Sequence, residues 1–181
     1  MGRQAKFLIL ALLAAQIIIF QGCKEAKMKV QNRNRLFDAE WKFLRDNITG
    51  AEQPTYDDSN WRTLDLPHDW SIEDLPGGTN SEQIGPFSKN SAGGFATGHT
   101  VGGIGWYRKQ FSLDPADAGS SVSIQFDGIF NESDVWLNGK HVGFHPNGYT
   151  SFVYDLSAFL NPAGQPNLLA VRVKNIGKTC R

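Results

Sequence analysis

From residue 35 onward, short runs in which apolar and polar positions alternate recur along the chain, and the 3.6-residue spacing of a long amphipathic helix does not. Arg35-Leu36-Phe37-Asp38 and Trp41-Lys42-Phe43-Leu44 alternate like strands entering a sheet. Leu64-Asp65-Leu66 alternates again and stops at Pro67, which has no N–H to give a ladder. Gly105 to Phe111, Ser121 to Phe126 and the strongly apolar Asn167 to Val173 read as further strands. The densest block runs from Phe126 to Phe152. In it Ser133 to Leu137 and Lys140 to Phe144 flank Asn138-Gly139, a pair suited to a type I′ hairpin turn with φ > 0 at both positions. A second turn at Pro146-Asn147-Gly148 precedes the run Tyr149 to Tyr154, so the block reads as consecutive antiparallel strands, with Val135, Trp136 and Leu137 in the core. Asp155 to Leu160 predicts a helical turn. Asp57-Asp58-Ser59-Asn60-Trp61 is rich in turn formers, the aspartates acting as caps and Trp61 as a core plug. About eight to ten short strands with regular turns predict an all-β chain, a β-sandwich.

Between Ser71 and Gly103 the alternation is lost. Gly77-Gly78, Gly93-Gly94, Gly98 and Gly102-Gly103 are separated by Asn, Ser, Thr and Pro, and a stretch this long in a compact domain calls for a function or a disordered state. The 18 basic and 18 acidic residues balance, which argues against nucleic acid as the main partner, since phosphate binding needs a basic surplus. Aromatic residues make up 12% of the chain; most belong in cores and strands, and a few could be sugar-stacking platforms.

The N-terminus has a different character. Arg3 and Lys6 precede an uncharged run from Phe7 to Phe20, the build of a secretory signal and too short for a comfortable membrane span. Gly22-Cys23 follows and resembles a bacterial lipoprotein box, although Phe20 and Gln21 depart from its usual residues. The alternative is an ordinary signal peptide with an incidental cysteine. The expected location is therefore exported, either as a membrane lipoprotein acylated at Cys23 or free in the periplasm. Cys180 is the one other cysteine, so neither a disulfide framework nor a cysteine metal site is expected.

A search for chemistry within the chain yields little. Glu132 and Asp134 share a face of a strand beside a hairpin, where acids are usually solvated. His141 and His145 have metal-like spacing only on a helix, which the hairpin argues against. No phosphate loop, dinucleotide fingerprint or nucleophile elbow occurs, and no metal or cofactor is expected.

Several segments in this order resemble the N-terminal sugar-binding domain of glycoside hydrolase family 2. They are Asp57 to Trp61, Leu66-Pro67-His68-Asp69-Trp70, Gly102 to Lys109, Phe126-Asp127-Gly128, Asp134 to Gly139, Gly148 to Phe152 and Asn167 to Val173. The forms at Pro67 to Trp70 and Gly102 to Lys109 are most similar to the β-galactosidase branch. The resemblance implies a jelly-roll, galactose-binding-like sandwich. In the family an immunoglobulin-like domain and a TIM barrel follow, and two glutamates of the barrel carry out retaining hydrolysis. With the N-terminal reading above, the organisation expected is a signal segment over 1–22, a polar tether over 23–35, the sandwich over 36–175 and the start of a linker over 176–181. No catalytic residue is expected in this chain, which would be inactive by itself.

The resemblance also implies where sugar would be met. The loop from Gly98, with His99, Thr100, Gly102 and Gly103, has counterparts over the barrel mouth. Lys174-Asn175 ends the last strand near where the family places a polar residue, and Asp69 could reach the same rim. Asp69 is equally suited to satisfy backbone donors after Pro67, with Trp70 in the core. The partners implied are a β-galactoside or other glycan, the catalytic domains, a membrane through Cys23 and further copies in a homo-oligomer. The alternative is a free-standing, lipid-anchored carbohydrate-binding or assembly module without catalysis.

Overall fold

The computed structural model describes residues 33–176. The chain divides into two compact units, Met1–Leu36 and Phe37–Arg181, and of the first only residues 33–36 are described, without regular structure. The signal segment, lipidation at Cys23, most of the tether, and Cys180 with its neighbours lie outside the described residues.

Among the described residues the fold is all-β. The strands are β1 (Trp41–Leu44), β2 (Arg62–Leu64), β3 (Gln83–Ile84), β4 (Phe87–Ser88), β5 (Gly103–Ser112), β6 (Ser123–Phe126), β7 (Glu132–Leu137), β8 (Lys140–His145), β9 (Phe152–Asp155) and β10 (Pro166–Asn175). Six of them form one antiparallel sheet in the order β2-β1-β5-β10-β7-β8, and β6 pairs with β9 in a second layer. The two longest strands, β5 and β10, lie at its centre, in register from Ser112↔Pro166 to Gly103↔Asn175.

Period-two alternation assigns each residue of the large sheet to one of two faces. Phe43, Tyr107, Val171 and Val135 sit opposite one another across four strands and share a face with Trp41, Leu137, Leu169 and Val173. The second layer covers this face with Ile124, Phe126 and Tyr154, and Leu156 closes one end. Val135, Leu137 and Leu169 are completely buried, and side chains of this kind contribute roughly 1.5–3 kcal/mol each. The two layers meet closely: a Cβ added at Gly143 would lie 2.4 Å from Tyr154 Cε1.

The opposite face carries Trp106, Arg108, Ala170 and Trp136, and the loop between β1 and β2 folds over part of it with Ala51, Tyr56 and Trp61. Arg108 fastens that loop. Its guanidinium, 1% exposed, donates to the Tyr56 carbonyl (2.9 Å), the Gln53 carbonyl (2.9 Å) and Asp58 Oδ2 (2.7 Å). Asp57 caps the turn as expected, accepting from the Ser59 amide, whereas Asp58 is drawn away into the Arg108 pair.

The hairpin forms as the sequence predicts, with Asn138 at φ 53° and Gly139 at φ 79°. The Asn138 side chain also ties the turn to the start of β10, donating to the Phe159 carbonyl and Asn167 Oδ1 and accepting from the Leu168 amide.

Three expectations need correction. Arg35 to Asp38 is not a strand: Glu40 at φ 57° breaks the extended path, and Trp41 Nε1 donates back to the Phe37 carbonyl. Tyr149 to Tyr154 does not continue the β7–β8 hairpin; only Phe152–Asp155 is a strand, and it crosses to pair with β6. Trp136 points to the face opposite Val135 and Leu137 and is only half-buried. Asp155 to Leu160 forms the expected single turn, Phe159 N–H donating to the Leu156 carbonyl. The stretch from Ser71 to Gly103 is ordered, containing the β3–β4 hairpin and a short 3-10 turn at Gly94–Thr97.

Candidate functional site

A cleft of about 680 Å³ opens between the core face of the large sheet and the segment that follows β6. The sheet side is formed by alternate residues of β5 and β10, namely Tyr107, Val171, Val173 and Asn175, together with Trp41. Asn175 is the last of this row and is 8% exposed. Phe126, Ile129 and Phe130 form the facing wall, and Tyr149 stands at the mouth, 70% exposed. The Phe130 and Tyr149 rings meet edge to face at 5.5 Å. Only glycine fits at 148, because a Cβ there would lie 2.4 Å from Phe130 Cδ2.

The polar groups of the cleft include three carboxylates. Asp38, Asp69 and Asp127 lie along it, all exposed, and among the described residues that line it there is no lysine or arginine. Asp69 Oδ1 accepts from the Ser71 amide (2.8 Å) and hydroxyl (2.6 Å), capping the short 3-10 turn Trp70–Ile72. Asp127 Oδ1 accepts from Gln125 Nε2 at 3.0 Å.

Behind the cleft His68 links Tyr107 to Glu73, with Nδ1 2.7 Å from the Tyr107 hydroxyl and Nε2 2.9 Å from Glu73 Oε1. An ionised carboxylate can only accept, so the His68 ring donates to Glu73 through Nε2. Burial pushes the Tyr107 phenol well above its usual range, and the negative charges of Asp69 and Glu73 push the same way. Burial also pushes the Glu73 carboxyl up, but hydrogen bonds and charge from Arg62 and His68 outweigh it and hold Glu73 below the usual carboxylate range. Chemically, the cleft offers an aromatic wall for the C–H face of a ring and acceptors for hydroxyls. No group of three or more His, Cys, Asp or Glu side chains able to hold a metal occurs among the described residues.

The residues proposed from sequence separate into three places. Asp69 and Asn175 both line the cleft. Gly103 pairs with Asn175 across the β5–β10 ladder, and the Gly102 carbonyl accepts from Arg45 Nη2 at 2.8 Å. His99 and Thr100 lie on the excursion: the His99 carbonyl accepts from the Ser88 amide, and Thr100 Oγ1 donates to the Thr97 carbonyl. Lys174, adjacent to Asn175 in sequence, lies on the other face of the sheet and is paired with Glu132 at 2.9 Å. Sequence reasoning missed Tyr149, Phe130, Asp127 and Asp38. The exposed aromatic beside Asn147-Gly148 was the available signal for the first of these.

Residues 35–179 match the family model described as glycosyl hydrolases family 2, sugar binding domain. Beta-galactosidase BoGH2A of Bacteroides ovatus is 42% identical over 153 residues, 84% of this chain and 17% of that protein. A beta-glucuronidase of Formosa agariphila is 31% identical over 143 residues, 77% of this chain and 13% of its own length. Among solved structures, a glycosyl hydrolase family 2 member from Bacteroides cellulosilyticus superposes with a TM-score of 0.76 at 48% identity, covering 83% of this chain and 19% of that one. The chain therefore spans less than a fifth of the length of these relatives.

Proposed function

Since the chain belongs to glycoside hydrolase family 2 and carries that family's sugar-binding domain, we propose that it serves as the glycan-binding module of a β-galactosidase-like hydrolase that removes terminal β-galactosides with retention. The observation that carries this reading is the family match across 35–179; the 42% identity to a β-galactosidase supports the galactoside branch. The sandwich is taken as a jelly roll of the galactose-binding type. Catalysis is assigned to a barrel domain of the kind the family uses, with this module inactive by itself. Asp69 and Asn175 contact the glycan through the cleft, while His99, Thr100, Gly102 and Gly103 shape the loop nearest the barrel. The N-terminal segment exports the protein, and Cys23 anchors it.

Isothermal calorimetry of the full chain with galactose and lactose tests the binding role. Heat of binding at millimolar ligand is expected; none at that concentration overturns it. A second reading, an assembly module, is favoured by one observation: Ile72, Ile84, Phe87 and Phe95 are all exposed on the 71–103 excursion, Phe95 at 91%. It predicts a concentration-dependent oligomer by light scattering, which replacing Phe95 with serine would weaken.

A further inference from the structure

The chain contains two Asn-Gly pairs, Asn138-Gly139 and Asn147-Gly148, and the fold treats their side-chain amides in opposite ways. We propose that Asn147-Gly148 is a site of covalent modification, spontaneous deamidation through a cyclic imide, and that the fold shields Asn138-Gly139 from the same reaction.

The chemistry needs only water and base. The Gly148 nitrogen gives up its proton to hydroxide and attacks Asn147 Cγ. The Cγ–Nδ2 bond breaks, Nδ2 takes the bonding pair with a proton, and ammonia leaves. Water then opens the five-membered imide at either carbonyl, giving aspartate or isoaspartate. A following glycine favours the first step because no Cβ obstructs the approaching nitrogen. Reaction further requires that the side-chain amide be free to turn onto that nitrogen and that solvent reach both.

Asn147 meets these conditions. It is exposed, and its one hydrogen bond, from the Tyr149 amide to Oδ1 at 2.8 Å, leaves Nδ2 unheld. Neither that Nδ2 nor the Gly148 N–H has a hydrogen-bond partner among the described residues. Asn138 does not meet them. It is half-buried, its Nδ2 donates to the Phe159 carbonyl (2.9 Å) and Asn167 Oδ1 (2.8 Å), and its Oδ1 accepts from the Leu168 amide (2.9 Å). Turning this carboxamide onto Gly139 breaks three bonds, against one at Asn147. At a factor of about five for each of the two extra bonds, Asn138 reacts about 25-fold more slowly.

The consequence falls on the mouth of the cleft, which Gly148 and Tyr149 line. Both products place a carboxylate beside Tyr149, and isoaspartate also inserts a methylene into the main chain just before Gly148, where the backbone is packed against Phe130. The chemistry is the same whatever the cleft receives.

The test is incubation of the full chain in mildly alkaline buffer, followed by tryptic digestion and tandem mass spectrometry. Cleavage at Lys140 puts the two pairs on separate peptides. Aspartate and isoaspartate are expected at Asn147, with Asn138 converting about 25-fold more slowly. In urea the two rates should become equal, because the shield at Asn138 belongs to the fold. Amide spectra of the converted protein should show shifts at Phe130 and Tyr149 and none at Leu137 and Lys140. Equal rates in the folded chain overturn the proposal, as does an Asn147 that stays intact while the urea-unfolded chain converts. A difference between the sites that persists in urea overturns the assignment of the shield to the fold.

Discussion

The two faces of the six-stranded sheet solve the same problem in opposite ways. On the face carrying Trp106 and Ala170, charge is brought inside and matched: Arg108 with Asp58, and further out Arg172 with Asp134 and Lys174 with Glu132. On the other face the centre is largely apolar, and Asp38, Asp69 and Asp127 stand where the cleft opens. Matched charges hold a loop in place on one face; on the other, Asp38 and Asp127 stand exposed where the cleft meets solvent. The difference explains how two adjacent residues of β10 diverge, Lys174 to an ion pair on one face and Asn175 to the cleft on the other.

The sharpest way to break this comparison is to remove the charge that closes the first face. Arg108→Met leaves Asp58 and the carbonyls of Gln53 and Tyr56 without their donor, and a loss of about 3–5 kcal/mol is expected from urea unfolding. A loss under about 1 kcal/mol would mean that the loop is held by Trp61 and Ala51 instead. The second face is tested by Gly143→Ala, whose methyl would collide with Tyr154 and cost about 1–3 kcal/mol. Thermal unfolding measures it, and the paired variant Gly143→Ala/Tyr154→Leu should recover part of the loss.

These two sites also mark how far the sequence could be read. Alternation alone places Tyr107 and Arg108 on opposite faces, and Asn138-Gly139 announces its hairpin because only certain residues accept positive φ at both turn positions. Local chemistry of that kind is legible. What was not legible depends on contacts between distant residues. That β9 crosses to β6 is decided by packing of Phe126 on Phe152 and of Tyr154 on Gly143, which no local pattern records. The cleft was half visible: Asp69 and Asn175 came from family resemblance, whereas Asp38, Asp127 and Tyr149 meet them only once both layers are in place.

Smaller effects sharpen the contrast further. Tyr149→Ala removes an exposed ring and should change stability by no more than about 0.5 kcal/mol while lowering galactoside affinity several-fold, as read by calorimetry. If affinity is unchanged, the mouth of the cleft does not touch sugar. Glu73 gives a pH-dependent term. Its carboxyl is held below its ordinary value, so its contribution is present above about pH 4.5 and is lost as pH falls through the lower folded value. The urea midpoint of the Glu73→Gln variant should accordingly fall less steeply below pH 4.5 than that of the parent. Parallel curves would show that Glu73 is not coupled to Arg62 and His68 in the way described.

The claim on which the account depends is that sugar is received on the cleft side of the sheet and not on the other. Amide chemical-shift mapping of the full chain titrated with methyl β-galactoside tests it directly. The account predicts shifts concentrated at Asp127 to Phe130, at Gly148-Tyr149 and at Asn175. Shifts confined to the opposite face, around Glu132, Trp136 and Arg172, or none at millimolar sugar, would contradict it.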